Sequence, residues 1–184
     1  MSVLSYPDIS EYTLPEKNVL VISCIDLRLT DNLLHFLHHD NLANRYDHFA
    51  LAGTSLSAFA ATDHKDLFNE DALNSFSFQS WKKSLDEHLQ IAVALHDIRD
   101  VYIVEHASCG AYKTFLKDGK FHSAEEEQKS HSFFAEALSR EIASKKYDEY
   151  KGGTHTGTYN LFVHCFMIDL RGNIALMHTT NKPA

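Results

Sequence analysis

The chain has 184 residues, 44% of them apolar, and a formal charge of −8 from 25 acidic and 17 basic side chains. This length suits one globular domain, and the negative charge argues against non-specific nucleic-acid binding, which requires a basic surface. Its three cysteines do not suggest a disulfide framework, and no apolar run approaches the roughly 20 residues of a membrane span. Residues 1–7 lack the features of a secretory signal. We therefore expect a cytoplasmic protein with reduced cysteines and no nucleic-acid or membrane partner.

Strands and helices are predicted to alternate along the chain. A polar arm at 1–17 precedes a single α/β domain at 18–184. Short apolar runs predict strands at 18–23, 48–52, 101–105, 161–168 and 174–177. Helical spacing and capping patterns predict helices at 31–38, 77–96 and 123–145, and a short helix after Cys109 that ends at Gly119. The segments between these elements are predicted to include a polar stretch at 55–74 and a flexible loop at 151–157. This alternation predicts a mostly parallel central sheet of four to five strands flanked by helices.

Two short segments, each directly after an apolar run, carry side chains that bind metals. Cys24 follows the first predicted strand, and His106 and Cys109 follow the third. Two thiolates and one imidazole bind zinc and leave a fourth position free, as catalytic zinc sites do. In open α/β sheets, sites form beyond the carboxyl ends of the strands, where both segments fall. For either cysteine alone the alternative is a buried apolar role, but together the three residues predict a Zn²⁺ site.

Asp26 and Arg28 follow Cys24 at alternate positions. Alternate side chains of an extended chain point the same way, so a carboxylate and a guanidinium would lie beside the metal-binding sulfur. They can pair through two parallel hydrogen bonds, and the alternative is a plain surface ion pair. At the second segment, a helix that starts after Cys109 would stabilise its thiolate.

The remaining cysteine and several histidines are predicted to lie outside the site. Cys165 is inside a predicted strand and should belong to the core. His35, His38 and His39 share one helix without a nearby acidic or cysteine partner, which favours a surface or interface position. His155 is assigned to the predicted loop.

The two segments resemble the signature of the β-class carbonic anhydrases. That family has Cys-x-Asp-x-Arg after its first strand and His-x-x-Cys-Gly after a later one, and this chain has both, at 24–28 and 106–110. The resemblance covers most of the chain from about residue 18, including the helix before the second segment and the hairpin around 168–173. It implies that the protein is a zinc enzyme that hydrates carbon dioxide to bicarbonate by zinc-bound hydroxide.

The resemblance also implies residue roles and an assembly. Cys24, His106 and Cys109 would bind the metal, and Asp26 and Arg28 would be the catalytic residues. Paired with Arg28, Asp26 would orient the bound hydroxide, whereas released from Arg28 it would occupy the fourth zinc position and block catalysis. The family forms dimers, which implies a homodimer or a higher homo-oligomer.

The chain departs from the usual family pattern at three places. Leu27 stands where serine is usual, the turn Leu51-Ala52-Gly53-Thr54 replaces an Asn-Ala-Gly-Asn-like turn, and Glu105 stands where glycine is common. These changes leave the ligands intact but leave the substrate and the rate open. The alternatives are a hydrolase of a related heteroallene, such as carbon disulfide or carbonyl sulfide, and a catalytically silent zinc-binding protein.

Overall fold

A five-stranded, mostly parallel sheet forms the centre of the structure, a computed structural model that describes residues 4–59 and 64–180. Its strands are β1 (Asn18–Ser23), β2 (Tyr46–Ala50), β3 (Ile98–His106), β6 (Phe162–Ile168) and β7 (Ile174–Thr179). They lie in the order β2-β1-β3-β6-β7, and only the β6–β7 pair is antiparallel. A separate antiparallel hairpin consists of β4 (Tyr147–Lys151) and β5 (Thr154–Tyr159).

The helices connect the strands and cover the sheet. They are α1 (Thr30–His39), α2 (Ser55–Phe59), α3 (Glu70–Ser75), α4 (Phe78–His96), α5 (Gly110–Phe115) and α6 (Ala124–Ser144), with 3-10 turns at Leu27–Leu29 and Lys65–Leu67. Within the described ranges, none of these helices has the length and apolar character needed to cross a bilayer. The predicted architecture, a mostly parallel sheet flanked by helices, is confirmed.

Both faces of the central strands are buried, because side chains alternate across a strand. Leu20 and Ile22 of β1 pack in the cluster that contains the buried sides of α4 and α6. Val19 and Val21 pack in a second cluster with α1 on the opposite face. The central strands therefore form a rigid base whose carboxyl ends carry the predicted ligands.

The segment before β1 is fixed to the rest of the chain by a buried carboxylate. The hydroxyl groups of Tyr12 and Tyr102 both donate to the side chain of Asp40, at distances of 2.7 to 2.9 Å. All three residues are buried, and buried phenolic hydroxyls require such partners. The boundary between an arm and a domain at residues 17 and 18 stays a prediction.

Most predicted elements lie close to the observed ones, but the prediction of a flexible loop at 151–157 was wrong. The chain there forms the hairpin of β4 and β5, which places His155 in a strand. Two glycines with positive φ angles of 58° and 81° make its turn. The guanidinium of Arg99 lies 3.6 Å from the ring centroid of Tyr159 and binds Glu149, so tertiary contacts hold the hairpin in place.

The polar stretch at 55–74 and the helix predicted to end at Gly119 also need correction. Residues 60–63 of the stretch lie outside the described ranges; the rest includes α2 and most of α3, which ends at Ser75. The helix after Cys109 ends already at Phe115, because the chain then becomes extended and pairs with another segment. Leu116 forms a β-bridge with Phe68 there.

Candidate metal centre

The predicted metal ligands meet at one edge of the sheet. Because β1 and β3 are parallel neighbours, with Ser23 opposite Val104, both strands end at the same edge. The ligand atoms of Cys24, His106 and Cys109 all lie within 4.8 Å of one another, and the two sulfur atoms are 4.0 Å apart. The structure therefore brings together all three side chains that the sequence singled out.

This arrangement fits a tetrahedral zinc ion. Two sulfur atoms, each about 2.3 Å from zinc at a tetrahedral angle, would lie about 3.8 Å apart, close to the observed separation. The Nδ1 of His106 lies 3.0 Å from the carbonyl of Ala107, which can only accept, so Nδ1 donates. The Nε2 of His106 is buried and has no hydrogen-bond partner among the described residues. A buried polar atom without a partner is costly, and a metal ion between the three side chains would satisfy it.

The turn after β2 shapes the surroundings of Cys24. The backbone N–H of Gly53 donates to the Sγ of Cys24 at 3.3 Å. Gly53 has a φ angle of 77°, and a Cβ at this position would lie 2.9 Å from the Cβ of Ala111. Only glycine therefore allows the turn to approach both the sulfur and α5.

The two thiols differ in their affinity for protons. A hydrogen bond with the Cys109 thiol, supported by His106 and by the N–H of Gly53, lowers the pKa of Cys24 although burial opposes this. The hydrogen bond with Cys24, together with burial, raises the pKa of Cys109. The prediction that the helix after Cys109 stabilises its thiolate is therefore wrong for the metal-free protein, although Cys109 does precede α5. Burial disfavours the imidazolium of His106, but its contact with Cys24 outweighs burial and raises the His106 pKa. In the absence of metal, the negative charge therefore resides on Cys24.

Asp26 and Arg28 form the predicted pair, although the backbone between them is not extended. Asp26 is the N-cap of the 3-10 turn Leu27–Leu29 and accepts from the N–H of Arg28 at 3.0 Å. The Nε and Nη2 atoms of Arg28 donate to the two carboxylate oxygens at 2.8 and 2.6 Å. Hydrogen bonding to Arg28 lowers the pKa of Asp26. One carboxylate oxygen lies 3.8 Å from the Nε2 of His106, so the carboxylate borders the metal position.

Sequence reasoning missed Glu127, which holds the turn between His106 and Cys109. Ser108 in that turn has a φ angle of 59°. Its N–H donates to the Oε1 of Glu127 at 2.8 Å, and its carbonyl accepts from the Nη2 of Arg28 at 3.2 Å. Glu127 belongs to α6 and is buried. No local pattern in the sequence points to this residue, because any carboxylate that the fold brought there could accept the N–H.

Glu105 links three elements beside the metal centre. It is fully buried and accepts from the backbone N–H of Ser55 at 3.0 Å, and also from the Ser55 hydroxyl. Its other oxygen lies 2.7 Å from the Nδ1 of His131. Ser55 begins α2 and His131 lies in α6, so Glu105 ties both helices to β3 directly beside a ligand.

A small cavity of about 40 Å³ opens beside the ligands. Cys24, Asp26 and His106 contribute to its wall. The apolar part of the wall comes from Leu29, Leu33, Val104 and Ile168, and further polar groups come from Ser23, Thr30 and His48. Since one water needs at least about 10–15 Å³ on this scale, the space suits a molecule of only a few atoms.

The other singled-out residues lie elsewhere. Cys165 is fully buried within β6, as predicted for a core residue. His35, His38 and His39 are exposed on α1, in agreement with the predicted surface position. His39 does have an acidic partner, contrary to the prediction, because its Nδ1 lies 3.1 Å from the carboxylate of Asp40. All three cysteines are free.

Sequence comparisons find relatives of this chain in Rickettsia. No protein-family model matches the chain. The chain is 28% identical over 139 residues to an uncharacterized protein of Rickettsia bellii, covering 76% of this chain and 75% of that protein. It is 27% identical over 139 residues to an uncharacterized protein of Rickettsia conorii, covering 76% of this chain and 66% of that protein.

Among solved structures, the chain is similar to the β-carbonic anhydrase CafA of Aspergillus fumigatus. The TM-score is 0.51 at 13% sequence identity, and the match covers 87% of this chain and 74% of that one. The chain therefore has a fold of the β-carbonic anhydrase type, which confirms the predicted resemblance at the level of the fold.

Proposed function

We propose that the protein is a zinc-dependent carbonic anhydrase, a lyase that hydrates carbon dioxide to bicarbonate. One observation carries this proposal: the ligand atoms of Cys24, His106 and Cys109 converge beside the paired Asp26 and Arg28. Three protein ligands leave one zinc position for water or substrate, as in catalytic zinc sites. Zn²⁺ held there would supply Lewis acidity that makes water a nucleophile at neutral pH.

Asp26 is proposed to orient the attacking water. Its lowered pKa keeps it a carboxylate at neutral pH, so it accepts hydrogen bonds but does not donate them. Arg28 occupies both carboxylate oxygens and fixes their direction. The apolar wall formed by Leu33, Val104 and Ile168 offers a dry surface for a small linear substrate.

Asp26 has a second proposed role as an inhibitory ligand. Its carboxylate lies 3.8 Å from the Nε2 of His106, close enough to reach the metal position after a small movement. Arg28 opposes this movement, because release of Asp26 would cost both charge-assisted hydrogen bonds. The observed pairing corresponds to the arrangement that leaves the fourth position free.

The three departures from the family pattern do not line the cavity, so they do not support either alternative. Thr54 is buried, with its hydroxyl near the carbonyl of Val104. Glu105 faces α2 and α6, and the side chain of Leu27 is 86% exposed. None of the three contributes to the wall beside the ligands, so they give no reason for another substrate or for an inactive site.

A homodimer or higher homo-oligomer is part of the proposal. Ile25 and Leu27, on either side of Asp26, are 65% and 86% exposed, and Leu170 is 48% exposed. Burial of these apolar side chains by a second copy would remove them from water. The cytoplasmic location stays a prediction.

The decisive experiment measures carbon dioxide hydration by stopped flow on protein with a measured zinc content. We expect turnover that requires zinc and is abolished in Cys109→Ser, whereas Cys165→Ser stays active. Carbon disulfide and carbonyl sulfide are offered in parallel. Zinc-loaded protein that hydrolyses these compounds but not carbon dioxide would replace the proposal by the heteroallene alternative. Protein that holds stoichiometric zinc but turns over none of the three compounds would support the alternative of a catalytically silent zinc-binding protein.

A further inference from the structure

The cavity beside the ligands contains one ionisable side chain that the proposed function does not use. Its titratable groups are Cys24, Asp26, His48 and His106. Two of these are metal ligands, and Asp26 is engaged by Arg28. His48 comes from β2 and is exposed to solvent, although it also lines the cavity. It therefore reaches both the interior of the site and the surrounding water.

A hydrogen bond connects His48 to the edge of the metal centre. Its Nε2 lies 2.7 Å from the hydroxyl oxygen of Ser23, the buried residue directly before Cys24. Ser23 also lines the cavity. Its hydroxyl has the backbone carbonyl of Cys24 as a second acceptor at 3.3 Å, longer than the 2.7 Å to His48. A hydroxyl group can accept one proton while it donates another, so Ser23 and His48 form a continuous path from the cavity to solvent.

Hydration of carbon dioxide needs such a path. Carbon dioxide and water give bicarbonate and one proton, and this proton must leave the cavity before the next turnover. Arg28 lowers the pKa of Asp26, which makes that carboxylate a poor proton acceptor. His48 is only partly exposed, and the burial of the rest of its side chain lowers its pKa, so the ring is neutral and able to accept a proton at neutral pH.

We propose that His48 is the proton-transfer residue of this site and acts through the hydroxyl of Ser23. This inference rests on the proposed function. The Ser23 oxygen accepts the proton that water loses, while the hydroxyl proton passes to the Nε2 of His48. The resulting imidazolium gives one proton to buffer in the solvent, so that both side chains regain their original protonation. A histidine that only joins β2 to β1 would not carry protons.

The test separates proton transfer from the chemical step. Zinc-loaded wild type, His48→Ala and the control His35→Ala are assayed for carbon dioxide hydration in weak buffer. His35 is exposed on α1 and lies outside the cavity. In His48→Ala we expect kcat to fall roughly a hundredfold, because proton release limits turnover, while kcat/KM stays unchanged. Added imidazole should restore kcat, and zinc content should equal that of wild type.

A second measurement does not depend on turnover. In protein with ¹⁵N-labelled histidine, zinc loading should displace the ring resonances of His48 but not those of His35, because of these two residues only His48 lines the cavity. Unmoved His48 resonances would overturn the inference. So would a kcat unaffected in His48→Ala, or an equal loss of kcat and kcat/KM that imidazole does not rescue. If any of these results is obtained while the wild type is active, only the role of His48 is refuted and the proposed function stands. A zinc-loaded wild type that is inactive would refute both the proposed function and the role of His48.

Discussion

The guanidinium of Arg28 binds both carboxylate oxygens of Asp26, at 2.8 and 2.6 Å. The same Nη2 donates to the carbonyl of Ser108, 3.2 Å away, in the turn between the second and third ligands. One cation thus fixes a carboxylate beside the metal position and also the backbone between His106 and Cys109. The orientation of the carboxylate and the shape of the ligand set are therefore linked through Arg28.

Asp26→Asn is expected to retain zinc but to lose carbon dioxide hydration at every pH. The three ligands remain, whereas the amide lacks the charge that binds Arg28 and orients the nucleophile. Stopped-flow kinetics and metal analysis on the same sample check this. Turnover close to that of wild type would mean that the carboxylate has only a structural role.

Arg28→Ala is expected to lose about 2–4 kcal/mol of transition-state stabilisation, comparable to the loss of one preorganised polar group. The freed carboxylate of Asp26, 3.8 Å from the Nε2 of His106, would then favour the metal position. Arg28→Lys is the matched control, because it keeps the charge but cannot form both parallel hydrogen bonds. Its kcat/KM should therefore lie between that of wild type and that of Arg28→Ala. Equal kcat/KM in all three proteins would contradict this role.

The metal assignment predicts different zinc contents for two cysteine variants. Wild type should bind about one zinc per chain through its two thiolates and one imidazole. Cys109→Ser should lose most of this zinc, while Cys165→Ser should keep it because Cys165 is buried in β6, away from the site. Mass spectrometry of the metal in gel-filtered protein measures both. Equal contents in the two variants would refute the ligand set.

Glu127→Ala is expected to weaken zinc binding about 10–100-fold, the range typical for partners that orient metal ligands. The variant removes the acceptor for the N–H of Ser108 and so loosens the turn between His106 and Cys109. Glu127→Gln keeps an oxygen in place and should largely restore affinity, which a purely electrostatic effect would not allow. Competition with a chromophoric chelator measures the zinc affinities. Identical zinc affinities of Glu127→Ala and wild type would exclude this positioning role.

Alkylation of metal-free protein should distinguish the three cysteines by pH. The thiolate is the reactive form, and the lowered pKa of Cys24 keeps it deprotonated below neutral pH. Burial raises the pKa of Cys165, and Cys24 raises that of Cys109, so both stay protonated. Between pH 8 and pH 6 the rate for an ordinary thiol falls roughly a hundredfold, whereas that for Cys24 should change little.

Peptide mapping of the alkylated protein measures these rates. The control is the same chain unfolded in urea, where all three rates should fall together as the pH decreases. A rate for Cys24 in the folded protein that falls as in urea would show that its surroundings do not stabilise the thiolate.

The sequence by itself determined the central sheet and the meeting of the three candidate ligands. Continuous apolar runs predicted β1, β3 and β6, because strands buried on both faces carry mainly apolar side chains. Parallel strands end at the same edge of a sheet, so residues directly after two of them could be expected to meet. Cys24, His106 and Cys109 meet there for this reason.

Only the tertiary structure decided which groups surround those ligands. Glu127 is 19 residues away from Ser108 in the chain, and His48 is 25 residues away from Ser23. These contacts depend on how α6 packs on the sheet and how β2 pairs with β1. The hairpin of β4 and β5 was missed for a related reason, since its polar sequence carries no apolar alternation and Arg99 holds it in place. Local patterns encode the burial of an element, whereas partners of single polar atoms are fixed only when distant elements pack together.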